Sequence, residues 1–440
     1  MDTNTRKRSG IRRALACLLA LALSCQIVWA GTADTLDALA VAVGAQPGAL
    51  LSSEKVVPGD SISDWIALAA GRTGRDGAAY LQGLEAYATG KYAADGALDS
   101  ARATEWHRIA LTALALGGDP TDFGPRHINL IADGTYAWSQ KDTLGFQGLN
   151  AWIYALLTLD SRCYAVPEEA RYTRETILGS ILAAQGEDGS FGLNPGFGSV
   201  DITAMALQAL APYQNSTVSY QLEDGRQADV HTAVDKALTW LESQCHSDTD
   251  GNSCPDAQVV LALCDLGRSP GPLRDTLERY RTGEGLYRYL PEDETFDLMA
   301  TEQVLLAQIA LERQEAGERR IFDFREEMDA DTRARIDTFQ ETIANLDDAS
   351  LDAQASALYE QYLAIPAAER SYAAFDRLRD ALVRTGEEVQ EDDPVQAYAI
   401  TAPTEVRQSP AWLGIASAVG VVAVIAAVAL LARKKGKKNG

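Results

Sequence analysis

Asp201-Ile-Thr-Ala-Met-Ala-Leu-Gln-Ala-Leu-Ala211 is the stretch whose reading decides the fold. An acid is followed by a run that is apolar nearly all round. Glu105-Trp-His-Arg-Ile-Ala-Leu-Thr-Ala-Leu-Ala overlays it without a gap, and shorter copies begin at Asp64, Asn150 and Glu302. A sixth, Pro255-Asp-Ala-Gln-Val-Val-Leu-Ala-Leu, keeps the apolar run and shifts its acid by one position. Helices this short and this apolar are packed on both sides, so the repeats must stack around one shared core.

Between the copies lie more polar segments, at residues 76–89, 122–132, 168–185, 229–244 and 272–282. Their apolar residues recur at three-to-four spacing, as in Ile177 and Ile181 or Val234, Leu238 and Leu241, which predicts an outer layer of amphipathic helices. Gly and Pro cluster in the turns at 117–120, 186–198 and 267–272. Alternating inner and outer helices predict an all-α fold, an α/α toroid over residues 31–316, with an open solenoid as the alternative. Residues 32–44 read as a short apolar helix packed outside the repeats.

From residue 317 the chain becomes strongly charged. Three helical stretches, 329–346, 350–363 and 367–384, predict a helical stalk bundle over 317–386. An acidic, Pro-bounded linker follows at 387–410. The uncharged apolar run 411–432 is long enough to cross ~30 Å of hydrocarbon at ~1.5 Å per residue. Residues 433–440, with Arg433, Lys434, Lys435, Lys437 and Lys438, form a basic cytoplasmic tail that keeps this end inside. At the other end, five basic residues, an apolar stretch and Val28-Trp29-Ala30 make residues 1–30 a signal peptide. The expected location is the cell membrane, single-pass, with most of the chain extracytoplasmic.

The net charge is −23, and both ends are basic, so the part between them is more acidic still. Such a surface repels phosphate backbones and excludes nucleic acid as a partner class. Cys163, Cys245, Cys254 and Cys264 remain after the signal, in a compartment that permits disulfides; a Cys245–Cys254 bridge pinching the polar loop between them is the preferred pairing. Asp248-Thr-Asp-Gly-Asn-Ser lacks the glycine and glutamate placement of a calcium loop and reads as an acidic turn.

The repeats, together with the turn Gln185-Gly-Glu-Asp-Gly-Ser-Phe191, resemble the prenyltransferase and terpene-cyclase toroid superfamily, above all its secreted bacterial members. That superfamily also contains complement-type thioester domains and cobalamin carriers. The resemblance covers residues 64–312. It implies a toroid, but each enzyme activity it implies lacks a part. The cyclase acid motif falls on residues 199–202, where only Asp201 survives. No zinc-ligand spacing surrounds His107, His127, His231 or His246, and no thioester motif occurs. A metal site and a cofactor are therefore not expected, although likeness to the cobalamin carriers makes a corrinoid one candidate ligand.

A cavity remains. Asp64, Glu105, Asn150, Asp201 and Glu302 start inner helices and are expected around one mouth of the ring. Their plain role is to satisfy helix N–H groups and the helix dipole. Their sharper role is to orient a polar or cationic ligand, with Gln208, Gln258 and Gln303 as amide partners. Phe191, Phe197, Tyr287 and Tyr289, on Gly-rich loops, are expected to line a pocket, and His107 is the one histidine placed to meet a ligand metal. The functional expectation is a membrane-anchored toroid that binds a small amphipathic ligand or a surface protein in its cavity. An enzyme using Asp201 as its acid and a purely structural interaction scaffold are the alternatives.

Overall fold

The computed structural model describes residues 31–216, 218–245, 251–390 and 393–401. The expected signal peptide, the acidic turn at 248–250, the apolar run 411–432 and the basic tail lie outside them. Among the described residues no helix is long and apolar enough to cross a membrane.

The protein is all-α, with sixteen described α-helices. Six of them carry the repeated pattern: α2 (Ser61–Arg72), α4 (Thr104–Ala115), α6 (Leu149–Asp160), α8 (Val200–Leu210), α10 (Ser253–Asp265) and α12 (Leu298–Glu315). Each packs against the next, and α12 packs back on α2, so the adjacency closes. Their apolar residues form one continuous core, in which Leu68, Leu111, Leu156, Leu207, Val260 and Leu305 are almost wholly buried.

The other segments pack outside these six. α3 (Ala78–Asp95) and α5 (Leu130–Gly134) lie on α4, α7 (Arg174–Ala183) on α6, α9 (Val230–Cys245) on α8, α11 (Leu273–Leu277) on α10 and α1 (Thr32–Ala42) on α12. Two expected outer helices are cut short. Residues 122–132 hold only the single turn α5, because Phe123 and Ile128 pair as an antiparallel bridge around a left-handed His127. Residues 272–282 give only α11 and a 3-10 turn, Glu278–Tyr280. A hairpin absent from the sequence reading, β1 (Tyr220–Gln221) with β2 (Gln227–Ala228), turns at Gly225.

The Gln185-x-x-x-Gly189 turn has a physical explanation. The Gln185 amide donates to the carbonyls of Gly189 and Ala233, which ties the turn to α9. Gly189 has φ 93°, and a Cβ there would sit 2.6 Å from the Lys236 carbonyl oxygen, so only glycine fits.

A second core lies in α13 (Ala330–Asn345), α14 (Asp348–Leu363) and α15 (Asp376–Thr385), where Ile336, Phe339, Leu351, Tyr362, Phe375 and Leu382 pack together. Asp329 and Asp347 cap the first two helices with bonds to Thr332 and Ser350. The expected third helix is split, since Ala367–Tyr372 forms a 3-10 helix before α15. This 3-10 helix docks on the C-terminal end of the repeat body, where Arg319 and Arg325 bind Glu369 and Arg320 donates to Ser371. The bundle is therefore held against the body rather than standing off it. Part of the expected linker is helical too: α16 (Pro394–Thr401) buries Tyr398 against Tyr213 at 5.9 Å.

Candidate functional site

The six inner helices run parallel, because hydrogen bonds join like ends. At the N-terminal ends Thr104 pairs with Gln147, the Leu149 N–H donates to the Leu193 carbonyl, and the Ser253 N–H donates to that of Tyr289. At the C-terminal ends the segment 319–325 crosses from helix to helix. Arg72 donates to the Arg320 and Asp323 carbonyls, and the Phe324 N–H donates to that of Ser161. Ile321 and Phe322 are buried beneath this crossing, and Phe322 meets Trp65 edge-on at 6.2 Å. The chain itself thus covers the C-terminal side.

Caps set the register at the N-terminal side. Counted from the capping residues Asp60, Ala103, Gly148, Ser199, Asn252 and Asp297, the residues Glu105, Asn150 and Asp201 are each second in their helix, and Cys254 shares that place. Asp64 is fourth and Glu302 fifth. The sequence overlay treated these acids as equivalent, because it aligned apolar runs and could not see where each helix starts.

The structure places four of the five expected side chains in two groups and leaves Asn150 outside both. In the first, Arg108 donates to Asp64 at 2.9 Å and to Glu105 at 2.8 Å, and Asp64 also accepts from the Tyr80 hydroxyl at 2.6 Å and the Gly59 N–H. Burial raises the Asp64 carboxyl's pKa, opposed by the Arg108 charge and the Tyr80 hydroxyl. This trio is satisfied internally, and the sequence reading missed its central arginine. Asp64, His107, Thr203, Asp256 and Thr301 are all fourth residues, and all tie the inner helices to the outer layer: His107 to the Gly134 carbonyl at 2.6 Å, Thr203 to Phe191, Asp256 to Tyr280 and Thr301 to Tyr287.

The second group centres on Glu302, which is 2 % exposed. Three amides lead to it. Gln208 donates to Gln258 at 2.7 Å, Gln258 donates to Gln303, and Gln303 donates to the Glu302 Oε1 at 2.8 Å. The Glu302 Oε2 is buried without a hydrogen-bond partner among the described residues. Burial pushes this carboxyl's pKa up to about 8, with Gln303 opposing and the Asp297 charge adding to the rise. Tyr154, on α6, feels the Glu302 charge, and its ring lies 5.7 Å from that of Trp65 on α2. Cys254 sits close enough to Glu302, Asp297 and Asp201 for their charges to add to a burial effect that pushes its thiol up to about 12. Asp201 and Asn150 remain partly exposed, with the Asn150 Oδ1 buried and unpartnered.

Other expectations change. Phe191 and Tyr287 do not line a pocket; both are fully buried, their backbone groups clamped by Thr203 and Thr301. Phe197 is 78 % exposed and Tyr289 is at the surface. His107 is wholly buried with its pKa lowered to about 4 by burial, so it stays neutral and structural rather than meeting a ligand metal. Cys254 is a free thiol in place of the expected bridge, and the side chain of Cys245 lies outside the described residues. Its place in the first turn of α10 turns it toward the carboxylates instead. No protein-family model, curated protein or solved structure matches this chain.

Proposed function

We propose that the chain is an extracytoplasmic, membrane-anchored α/α toroid that captures a small ligand in the space its inner helices enclose. Cyclic adjacency of six parallel helices supports the toroid, and with it kinship to the cyclase and cobalamin-carrier superfamily. The covered C-terminal side leaves the N-terminal mouth as the entrance. The observation that carries the reading is Glu302: a carboxyl with an open oxygen, buried among amides and aromatic side chains, adds nothing to a packed core. In a binding site it gives direction to a ligand held by apolar walls. Anchoring rests on the apolar run 411–432 and its basic flank.

A cyclase is less well supported. Asp201 is partly exposed, whereas protonating an alkene requires a strong, desolvated acid. Glu302 is desolvated, yet a carboxyl with a pKa of about 8 is far too weak for that step. The test is a thermal-shift panel of cobalamins, isoprenoids and glycans on the purified protein. Capture predicts a raised Tm with at least one class and no turnover of isoprenoids by either the wild type or Asp201→Asn. Turnover that Asp201→Asn abolishes would establish the enzyme; no shift with any class would leave a structural scaffold.

A further inference from the structure

We propose that the enclosed space takes an organic ammonium ligand with an apolar body, its charge beside Glu302 and its body against exposed apolar side chains at the N-terminal mouth. This inference rests on the capture reading and names its ligand class. Three observations converge on it.

First, the amide relay ends on an acceptor. Gln208, Gln258 and Gln303 each spend an N–H on the next member, and the Glu302 Oε2 is left buried without a donor. Once this carboxyl is ionised, what the site lacks is an N–H group, and a charged one is held most strongly. Second, the surroundings favour a cation. Asp297 and Asp201 lie around the same space as Glu302, while Arg108, the cation of the neighbouring first turns, is bound by Asp64 and Glu105. The partly exposed rings of Trp65 on α2 and Tyr154 on α6 come together past the intervening α4, and aromatic faces attract ammonium groups. A metal ion fits less well: among the described residues no cluster of three or more His, Cys, Asp or Glu is placed to hold one.

Third, the mouth is apolar. Phe146 and Phe197, in the loops that lead into α6 and α8, are 57 % and 78 % exposed, and Leu193 and Met299 at the same end are 41 % and 42 % exposed. Large apolar side chains exposed together at one end mark a contact surface. An acid at depth and an apolar rim above it match an amphipathic cation entering charge first.

The test is calorimetric titration at pH 9, where the Glu302 carboxyl is ionised and an alkylamine is still charged, of the full-length chain in nanodiscs with 4-phenylbutylamine and its neutral counterpart 4-phenylbutan-1-ol. The amine is expected to bind about tenfold tighter or better, the value of a charge-assisted bond over a neutral one. Glu302→Gln should remove most of the preference for the amine over the alcohol. Phe197→Ser, at an exposed position, should weaken both compounds alike. Equal affinity of amine and alcohol for the wild type would overturn the charge inference and leave capture standing, whether or not Glu302→Gln folds. Binding of neither compound, with no response to cobalamins, isoprenoids or glycans, would overturn both.

Discussion

Glu302 and Asp323 are both buried carboxyls, and their partners drive their proton affinities in opposite directions. Glu302 has one amide donor, with Asp297, Tyr154 and Cys254 as its neighbours, and none of these supplies a positive charge. Its folded pKa of about 8 exceeds the unfolded value, so the folded state binds the extra proton and stability falls as pH rises from about 4.5 through 8. Glu302→Gln should therefore raise stability relative to wild type at pH 9 by on the order of a few kcal/mol, seen as a higher Tm, and change it little at pH 4. Melting curves across pH check this; a constant difference would show that Glu302 does not hold a proton. Asp323 accepts from Arg325, Arg319 and Tyr372, and despite its burial the two guanidiniums hold its carboxyl at about 2. Its contribution is complete above about pH 4 and is lost as pH falls through 2. Asp323→Asn should cost about 3–5 kcal/mol at pH 7 and much less at pH 2, read from denaturant titrations at the two pH values.

At the scale of elements, the fourth residue of each inner helix decides how that helix meets its outer partner. Thr203 and Thr301 do the same work in two repeats: each hydroxyl accepts from the N–H of a buried loop aromatic and donates to its carbonyl, while the capping residue's own N–H bonds the same carbonyl. Thr203→Val and Thr301→Val keep the shape and remove both side-chain bonds, leaving the N–H of Phe191 or Tyr287 buried without a partner while its carbonyl keeps the capping residue's N–H. Each should cost about 1–3 kcal/mol in denaturant unfolding. A loss below a few tenths would mean that the clamp is dispensable. The apolar runs were legible as inner helices because a period of 3.6 survives in any register. The register itself was not, because Ala103 and Gly148 offer no side-chain cap where Asp60, Asn252 and Asp297 do. The acid of each copy was aligned without a fixed start, and residues with different neighbours were taken as equals.

At the scale of the whole molecule, the crossing segment 319–325 joins the two cores. Ile321 and Phe322 belong to the repeat body, while Arg319, Asp323 and Arg325 form the ion pairs that reach Glu369 in the bundle's 3-10 helix. Buried pairs of this kind lose heavily when one partner is removed, since the other charge is left without compensation. Glu369→Ala should lower stability by roughly 3 kcal/mol and split a single calorimetric transition into two, with the bundle melting first. One unchanged transition would show that the two cores are coupled by other contacts. The same crossing lies over the C-terminal ends of the inner helices, through Arg72, Ser161 and Asp265.

The repeated apolar runs, the charge change at residue 317 and the helical stretches that follow it are local patterns, and they were enough to read an all-α chain with stacked helices followed by a charged helical segment. Local patterns carry that much because helical period and capping act over a few residues. Which acids are neutralised, which loop aromatics are core and where an open acceptor lies were settled only by the tertiary structure. Arg108 is 44 residues from Asp64, Gln303 is 45 from Gln258, and Ser371 is 51 from Arg320. Burial and proton affinity are properties of such distant pairings, and no short window of sequence contains both partners.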